Sequence, residues 1–165
     1  MRTVKRILVL LLILFVLIQI YRSPKNLSGD TTHDISKHYA VPADVHTILA
    51  KACYDCHSNK TRYPWYAGVQ PVGMWLAGHI RDGKSEINFN EFGSYRVAKQ
   101  YRKMEECIEQ VKKERMPLSS YTIIHTDSKL TDTERATLLN WFESIRDTLR
   151  ARYPADSLIV KRKTG

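Results

Sequence analysis

The chain has 165 residues, 43% of them hydrophobic, which suffices for one domain of ordinary size with a packed core. The formal net charge is +9, but residues 42–150 hold 16 Lys and Arg against 14 Asp and Glu, so most of the excess lies towards the two ends. A nucleic-acid-binding domain carries its positive charge on the folded face that meets phosphate, so this distribution argues against DNA or RNA as a partner.

An apolar run opens the chain after a basic start. Three basic residues among the first six precede residues 7–20, in which Gln19 is the only polar residue. With its flanks this run approaches the ~20 residues that cross a bilayer, so we expect a transmembrane helix and membrane anchor over residues 1–22. A cleaved signal peptide is the alternative, but the small residues typical of a cleavage site are missing.

The basic flank also predicts the orientation of the anchor. Positive residues stay on the cytoplasmic side, so residues after 22 would lie outside. The sequence therefore predicts a single-pass protein of the bacterial inner membrane with its domain on the periplasmic side.

The remainder predicts a linker, a helical domain and a basic tail. Residues 23–41 are polar and turn-rich, which is typical of a linker. Apolar residues then recur with helical spacing over about 42–55, 71–82, 94–113 and 131–152. Gly83 is expected to end the second helix, and the Thr-Asp-Thr-Glu run at 131–134 is a capping box that begins the fourth. No stretch alternates with period two, so we expect an all-α domain over residues 42–152, followed by a basic tail over 153–165.

One motif in the sequence indicates a cofactor site. Cys53 and Cys56 are followed by His57 in a C-x-x-C-H run, the attachment signature of c-type haem. Two thiols three residues apart lie on one side of a turn and can reach the two vinyl groups at one edge of a porphyrin, while the adjacent histidine is held against the iron. The motif predicts one covalent haem c per chain, with His57 as a ligand of the iron.

Two other readings of the cysteines are weaker. A thioredoxin-like redox pair needs a βαβ setting, which the sequence does not offer. A structural zinc site needs four ligands, and Cys53, Cys56 and His57 supply three at most. The third cysteine, Cys107, is expected to be a small buried hydrophobic residue.

The chain resembles the small cytochrome-c-like haem-binding domain family of bacterial membrane-anchored proteins. The resemblance covers about residues 40–145 and is carried by residues 53–59, 61–66, 70–73, 75–76, 87–90 and 116–121. It implies a cytochrome-c fold and covalent haem, but no particular substrate or partner.

The second axial ligand of the iron is predicted from loop position. Met116 follows the third helix and precedes Pro117, which disfavours helical geometry at Met116 and gives a stiff segment able to present a thioether. His79 is the main alternative, and Met74, Met104 and His125 are weaker ones. The aromatic residues Tyr63, Trp65, Tyr66 and Trp75 are expected in the pocket walls or the core.

These features predict a membrane-anchored, single-haem electron carrier rather than an enzyme, with an unidentified redox protein as its partner. A haem-based sensor or gas-binding module and a small haem peroxidase are the alternatives. Both need an open or displaceable sixth position on the iron.

Overall fold

The computed structural model describes residues 1–159 as helices joined by turns and loops. Over that range there is no β-strand, so the predicted all-α fold class is confirmed. In chain order the helices are α1 (Arg2–Ile18), α2 (Ala43–Ala52), α3 (Tyr54–His57), α4 (Val72–Glu86), α5 (Val97–Lys112), α6 (Ser119–Thr122) and α7 (Asp132–Arg152). Short 3-10 turns lie at Ile35–Lys37, Trp65–Gly68, Phe89–Ser94, Thr126–Ser128 and Ala155–Leu158.

The core forms where the long helices meet. Helix α7 packs along α5 and also contacts α2, while α3 packs on α4. The fully buried side chains come mainly from the apolar stripes of these helices; they include Val45, Leu49, Phe92, Met104, Leu138, Phe142, Ile145 and Leu149. This core holds α2, which leads directly into the segment with the two close cysteines, against α7.

Helical periodicity located the main helices but not all of their ends. The capping box at Thr131 and Glu134 is present and begins α7 as predicted. The first predicted helix is broken at Cys53, where φ is −125° and ψ is −45°, and resumes as α3. The prediction that Gly83 ends the second helix is wrong, because α4 continues through it to Glu86.

The segment predicted to be a linker is packed on the domain. Asn26 donates through Nδ2 to the Ser58 carbonyl at 2.8 Å, and Ile35 is fully buried in the core. The Gly93 amide donates to the His33 carbonyl at 2.8 Å, and the Trp141 indole donates to the Ala40 carbonyl at 2.9 Å. Residues 23–41 therefore cover one side of the helical domain rather than merely spacing it from α1.

Helix α1 is apolar and has no buried residue. Within residues 1–159, no helix has both the length and the apolar character required to span a bilayer, so the transmembrane helix expected within residues 1–22 is not found. The helical segment has 17 residues and stops before Gln19, whose side-chain amide pairs with the Gln70 backbone at 2.9 and 3.0 Å. Of the predicted basic tail, residues 160–165 lie outside the described residues.

Candidate functional site

A cavity of about 460 Å³ lies between α4, α5 and the segments 52–57 and 116–121. Helices α4 and α5 each present one face to the cavity, because the residues of each helix that line it recur at spacings of three and four. The walls are mainly apolar, and the volume is within the range of about 300–1,000 Å³ typical of cofactor and small-molecule sites.

All three residues of the C-x-x-C-H motif line this cavity. The turn is closed by backbone hydrogen bonds from the Cys56 and His57 amides to the Cys53 carbonyl, at 3.2 and 2.9 Å. The break at Cys53 separates α2 from α3 and brings both thiols to the same wall. The sequence prediction that Cys53, Cys56 and His57 face one space therefore agrees with the geometry.

Both thiols are free, and their burial favours the protonated form. Burial raises the pKa of Cys53 to about 12 and that of Cys56 to about 11. A disulfide oxidoreductase needs a thiol that ionises near neutral pH, so these cysteines lack the property on which thiol–disulfide exchange depends.

The orientation of His57 is fixed by a backbone carbonyl. Nδ1 of His57 lies 3.0 Å from the Ile87 carbonyl oxygen, and burial lowers the pKa of the imidazole. A neutral imidazole that donates Nδ1–H to this carbonyl keeps the lone pair on Nε2, the nitrogen then available to a metal. The Phe89 ring packs edge-on to His57, with ring centroids 6.4 Å apart, and limits its rotation.

Gly83 allows α4 to approach the motif. A Cβ at this position would lie 3.0 Å from the Cys56 carbonyl oxygen and 3.3 Å from Cε1 of His57. Its φ is not in the left-handed region, so Gly83 is required for close packing rather than for helix termination. The sequence shows a glycine within the predicted helix, but it does not show that this glycine packs against Cys56 and His57.

Two of the candidate axial ligands line the cavity, namely Met116 and His79. Met104 is completely buried in the core and Met74 is 41% exposed on the surface of α4. Neither of these methionines lies on the cavity wall, and neither does His125. Of the five residues that the sequence offers as a second axial ligand, two therefore lie on the cavity wall.

The loop after the motif, residues 58–71, and the segment of residues 116–121 both contact Asp55, inside the motif. Its carboxylate accepts hydrogen bonds from Tyr121 Oη at 2.8 Å and from the Arg62 guanidinium at 3.1 Å. Tyr121 stacks on His125, which is 2.8 Å from Tyr66 Oη. The sequence does not show this contact, because two residues 66 apart in the chain leave no local pattern.

A buried cation joins α4 to α5 beside His57. Lys103 is 6% exposed, and its Nζ donates to Glu86 Oε2 at 2.9 Å and to the Glu106 carboxylate. Burial alone would lower the pKa of Lys103, but these two hydrogen bonds raise it, so the ammonium remains charged. This ion pair holds the end of α4 next to the Ile87 carbonyl that orients His57.

The cavity differs from its prediction in two respects. Cys107, expected to be a small buried hydrophobic residue, is partly buried against the core and also lines the cavity. The four predicted wall aromatics do not line it, and Trp65 is 86% exposed; the aromatic wall is made by Phe89, Tyr121 and Phe142.

A zinc site is not supported in the described part of the chain. Among residues 1–159, no three or more His, Cys, Asp and Glu side chains are grouped so that they could hold a metal ion. The zinc reading of the cysteine pair therefore lacks a donor set.

Comparison with protein families gives one finding. A family model described as haem-binding domain matches residues 12–144. Searches of curated proteins and of solved structures return no match for this chain.

Proposed function

This chain belongs to the haem-binding domain family, and we propose that it is a membrane-anchored c-type cytochrome that carries one covalent haem and transfers electrons. The observation that carries the proposal is the apolar cavity onto which Cys53, Cys56 and His57 all open. In this proposal the S–H group of each cysteine would add across one vinyl C=C bond of the haem to form a thioether, and Nε2 of the neutral His57 imidazole would bind the iron.

Met116 is the proposed second axial ligand. His79 lies one helical turn before Gly83, on the α4 face that packs against Cys56 and His57, and so belongs to the same side of the cavity as the proximal ligand. The two axial ligands of a haem iron approach from opposite faces. Met116 comes from the segment after α5 and not from the α4 face that packs on His57, and this supports the thioether over the imidazole.

Electron transfer is the proposed activity because the haem would be held by two protein ligands. A bound haem supplies one-electron redox chemistry, and the protein fixes its ligands and sets its potential. Buried Lys103 and the Ile87 carbonyl would keep His57 in place, and the apolar walls would exclude water from the iron. A sensor or a peroxidase would instead need a displaceable sixth ligand, which carbon monoxide binding to the reduced protein would reveal.

Membrane attachment through α1 is part of the proposal. Large apolar side chains from Ile7 to Leu17 are 46–64% exposed, and Lys5 and Arg6 flank them. An exposed apolar helix of this kind is stabilised by insertion into lipid. Haem attachment on the outer side of the bacterial membrane agrees with the orientation that the basic flank predicts. A cytochrome-c-like arrangement is supported by α2, which leads into the motif, and by α7, which packs on α2.

Covalent attachment is tested by haem staining of denatured protein. We expect the wild-type chain, expressed in cells competent in cytochrome maturation, to keep its haem colour on a denaturing gel. Cys53→Ser with Cys56→Ser should abolish the stained band, since both thioether bonds are lost. Cys107→Ser is the matched control and should retain it; a wild-type band without haem would refute the proposal.

A further inference from the structure

A second cavity, of about 310 Å³, lies on the surface near the end of α1. Three cationic side chains line it, those of Lys25, Arg81 and Lys84. Among the described residues no carboxylate belongs to its lining, although the domain as a whole is almost neutral. We call this space the basic cavity.

The cations keep donors free for an anion. Lys84 Nζ donates to Asn26 Oδ1 at 2.7 Å, which uses one of its three N–H bonds. Lys25 Nζ lies 5.3 Å from the centroid of the Tyr63 ring. The pair of Arg81 with Asp82 is largely solvent-exposed, so it holds the guanidinium weakly.

Asn26 fixes the floor of the basic cavity. Its backbone N–H donates to Tyr63 Oη at 2.7 Å, and its Nδ2 donates to Thr61 Oγ1 at 3.0 Å. Three contacts with residues 58–63 therefore hold the segment that presents Lys25. Asn26, which also accepts from Lys84, therefore holds Lys84 beside the segment that carries Lys25.

The basic cavity lies close to the base of the proposed anchor. Gln19 pairs with the Gln70 backbone, and Arg22 donates to the Gly68 carbonyl at 3.0 Å, so the end of α1 is tied to the domain. Lys25 follows Gln19 by six positions in the chain, a length of at most about 22 Å. Trp65, in the turn next to this tie, is 86% exposed, and exposed tryptophan is typical of a membrane–water interface.

We propose that the basic cavity binds the phosphate of an anionic phospholipid headgroup, an inference that rests on the proposed membrane anchoring. The three cations would face the phosphate, and the apolar side chains of Pro24, Ala77 and Ile80 in the same lining would contact the glycerol and the first acyl carbons. A headgroup bound there would hold the haem domain at a fixed height and orientation on the bilayer surface.

The test uses the haem-loaded full chain in maltoside micelles, which contain no phosphate. Unfolding temperature is measured with dihexanoyl phosphatidylglycerol, dihexanoyl phosphatidylcholine or sodium phosphate, because a ligand that binds the folded state raises it. We expect phosphatidylglycerol to bind best. Since each cation near an anionic lipid contributes about fivefold, the variant Lys25→Gln, Arg81→Gln, Lys84→Gln should bind it roughly a hundredfold more weakly.

The control removes the same charge elsewhere. The control variant Arg102→Gln, Lys112→Gln, Lys113→Gln changes residues on α5 and at its C-cap, outside the basic cavity, and should leave the lipid effect unchanged. Equal binding by the two triple variants would overturn the inference, and so would a shift with sodium phosphate or phosphatidylcholine as large as that with phosphatidylglycerol. This comparison is made in detergent, so it does not depend on membrane anchoring. If α1 failed to hold the chain in membranes, the proposed anchoring would be refuted, but the lipid comparison could still be read.

Discussion

Gly83 occupies the point where α4 comes closest to the C-x-x-C-H turn. A Cβ there would meet the Cys56 carbonyl oxygen at 3.0 Å and the Cys56 Cβ at 3.1 Å, closer than side chains normally pack. We expect Gly83→Ala to lower the free energy of unfolding by about 1–3 kcal/mol, the usual cost of overpacking. Chemical denaturation of the haem-loaded protein measures this cost.

The same helix supplies the control. A Cβ at Gly78 would have Arg81 Nη2 at 4.0 Å as its nearest neighbour, an ordinary contact. Gly78→Ala should therefore stabilise the protein by up to about 1 kcal/mol through helix propensity. If both substitutions stabilise equally, the close approach of α4 to the motif is not required.

Substitution of single residues also tests which side chain is the second axial ligand. Met116→Ala should lower the reduction potential and open the ferrous iron to carbon monoxide, because a thioether favours the reduced state. His79→Ala should change neither property by much, although it removes a group from the same cavity. Redox titration and carbon monoxide difference spectra check both variants; the reverse pattern would identify a bis-histidine site.

The sequence predicted the relative placement of those side chains that belong to one local motif. Cys53, Cys56 and His57 are close in the chain, so their spacing alone predicted a shared wall. The Ile87 carbonyl that orients His57 was not predictable, because every residue has such a carbonyl and only the fold selects one. Cys107 was predicted to be a small buried hydrophobic residue; it packs against the core, and its place on the cavity wall was not predicted.

At the scale of elements, the loop that carries Met116 is tied to the motif by one side chain. Tyr121 Oη donates to Asp55 at 2.8 Å, while the Met116 amide makes only a 3.3 Å bond to the Gln110 carbonyl. We expect Tyr121→Phe to cost about 1–2 kcal/mol, since the acceptor is a carboxylate that keeps its bond to Arg62. Loosening this loop should also speed carbon monoxide binding to the reduced protein, as measured by stopped flow.

Tyr66→Phe is the matched control for that loop. It removes the hydrogen bond between Tyr66 and His125 but leaves the Asp55 carboxylate with both of its donors. Its effect on carbon monoxide binding should be negligible. Equal acceleration in both variants would mean that the loop is held by the aromatic stack rather than by Asp55.

Element prediction succeeded where one side of a helix is buried by a regular stripe, as in α5 and α7. It failed where tertiary contacts replace local signals. Residues 23–41 are polar and turn-rich, yet their polar groups pair with residues 58–61 and 93 instead of water. Polar composition alone cannot separate a solvated linker from a segment whose hydrogen bonds are made to the domain.

At the scale of the whole molecule, the cavity is the feature that sequence reasoning located least well. Its walls are assembled from four segments between residues 52 and 121, and α7 adds Phe142. Aromatic residues near the motif in the chain, such as Trp65, were expected to enclose it, but the 3-10 turn that contains Trp65 points it to the surface. Proximity in sequence misled here because the chain leaves the cavity after His57 and returns to it with α4.

The exposed apolar surface of α1 predicts that this helix attaches the whole protein to a membrane. None of its side chains is buried against the domain, so lipid is the environment that would cover them. Leu10→Arg with Leu14→Arg should release the chain from membranes, because arginine near the centre of an inserted helix costs about 2.5–3.5 kcal/mol per residue. Leu27→Arg with Ile159→Arg adds the same charge at exposed positions outside α1 and should leave the chain attached. The measurement is the fraction of haem-stained protein that remains in the membrane pellet after an alkaline carbonate wash. Wild-type protein that washes off, or an α1 variant that stays in the pellet with the control, would show that α1 does not anchor the domain.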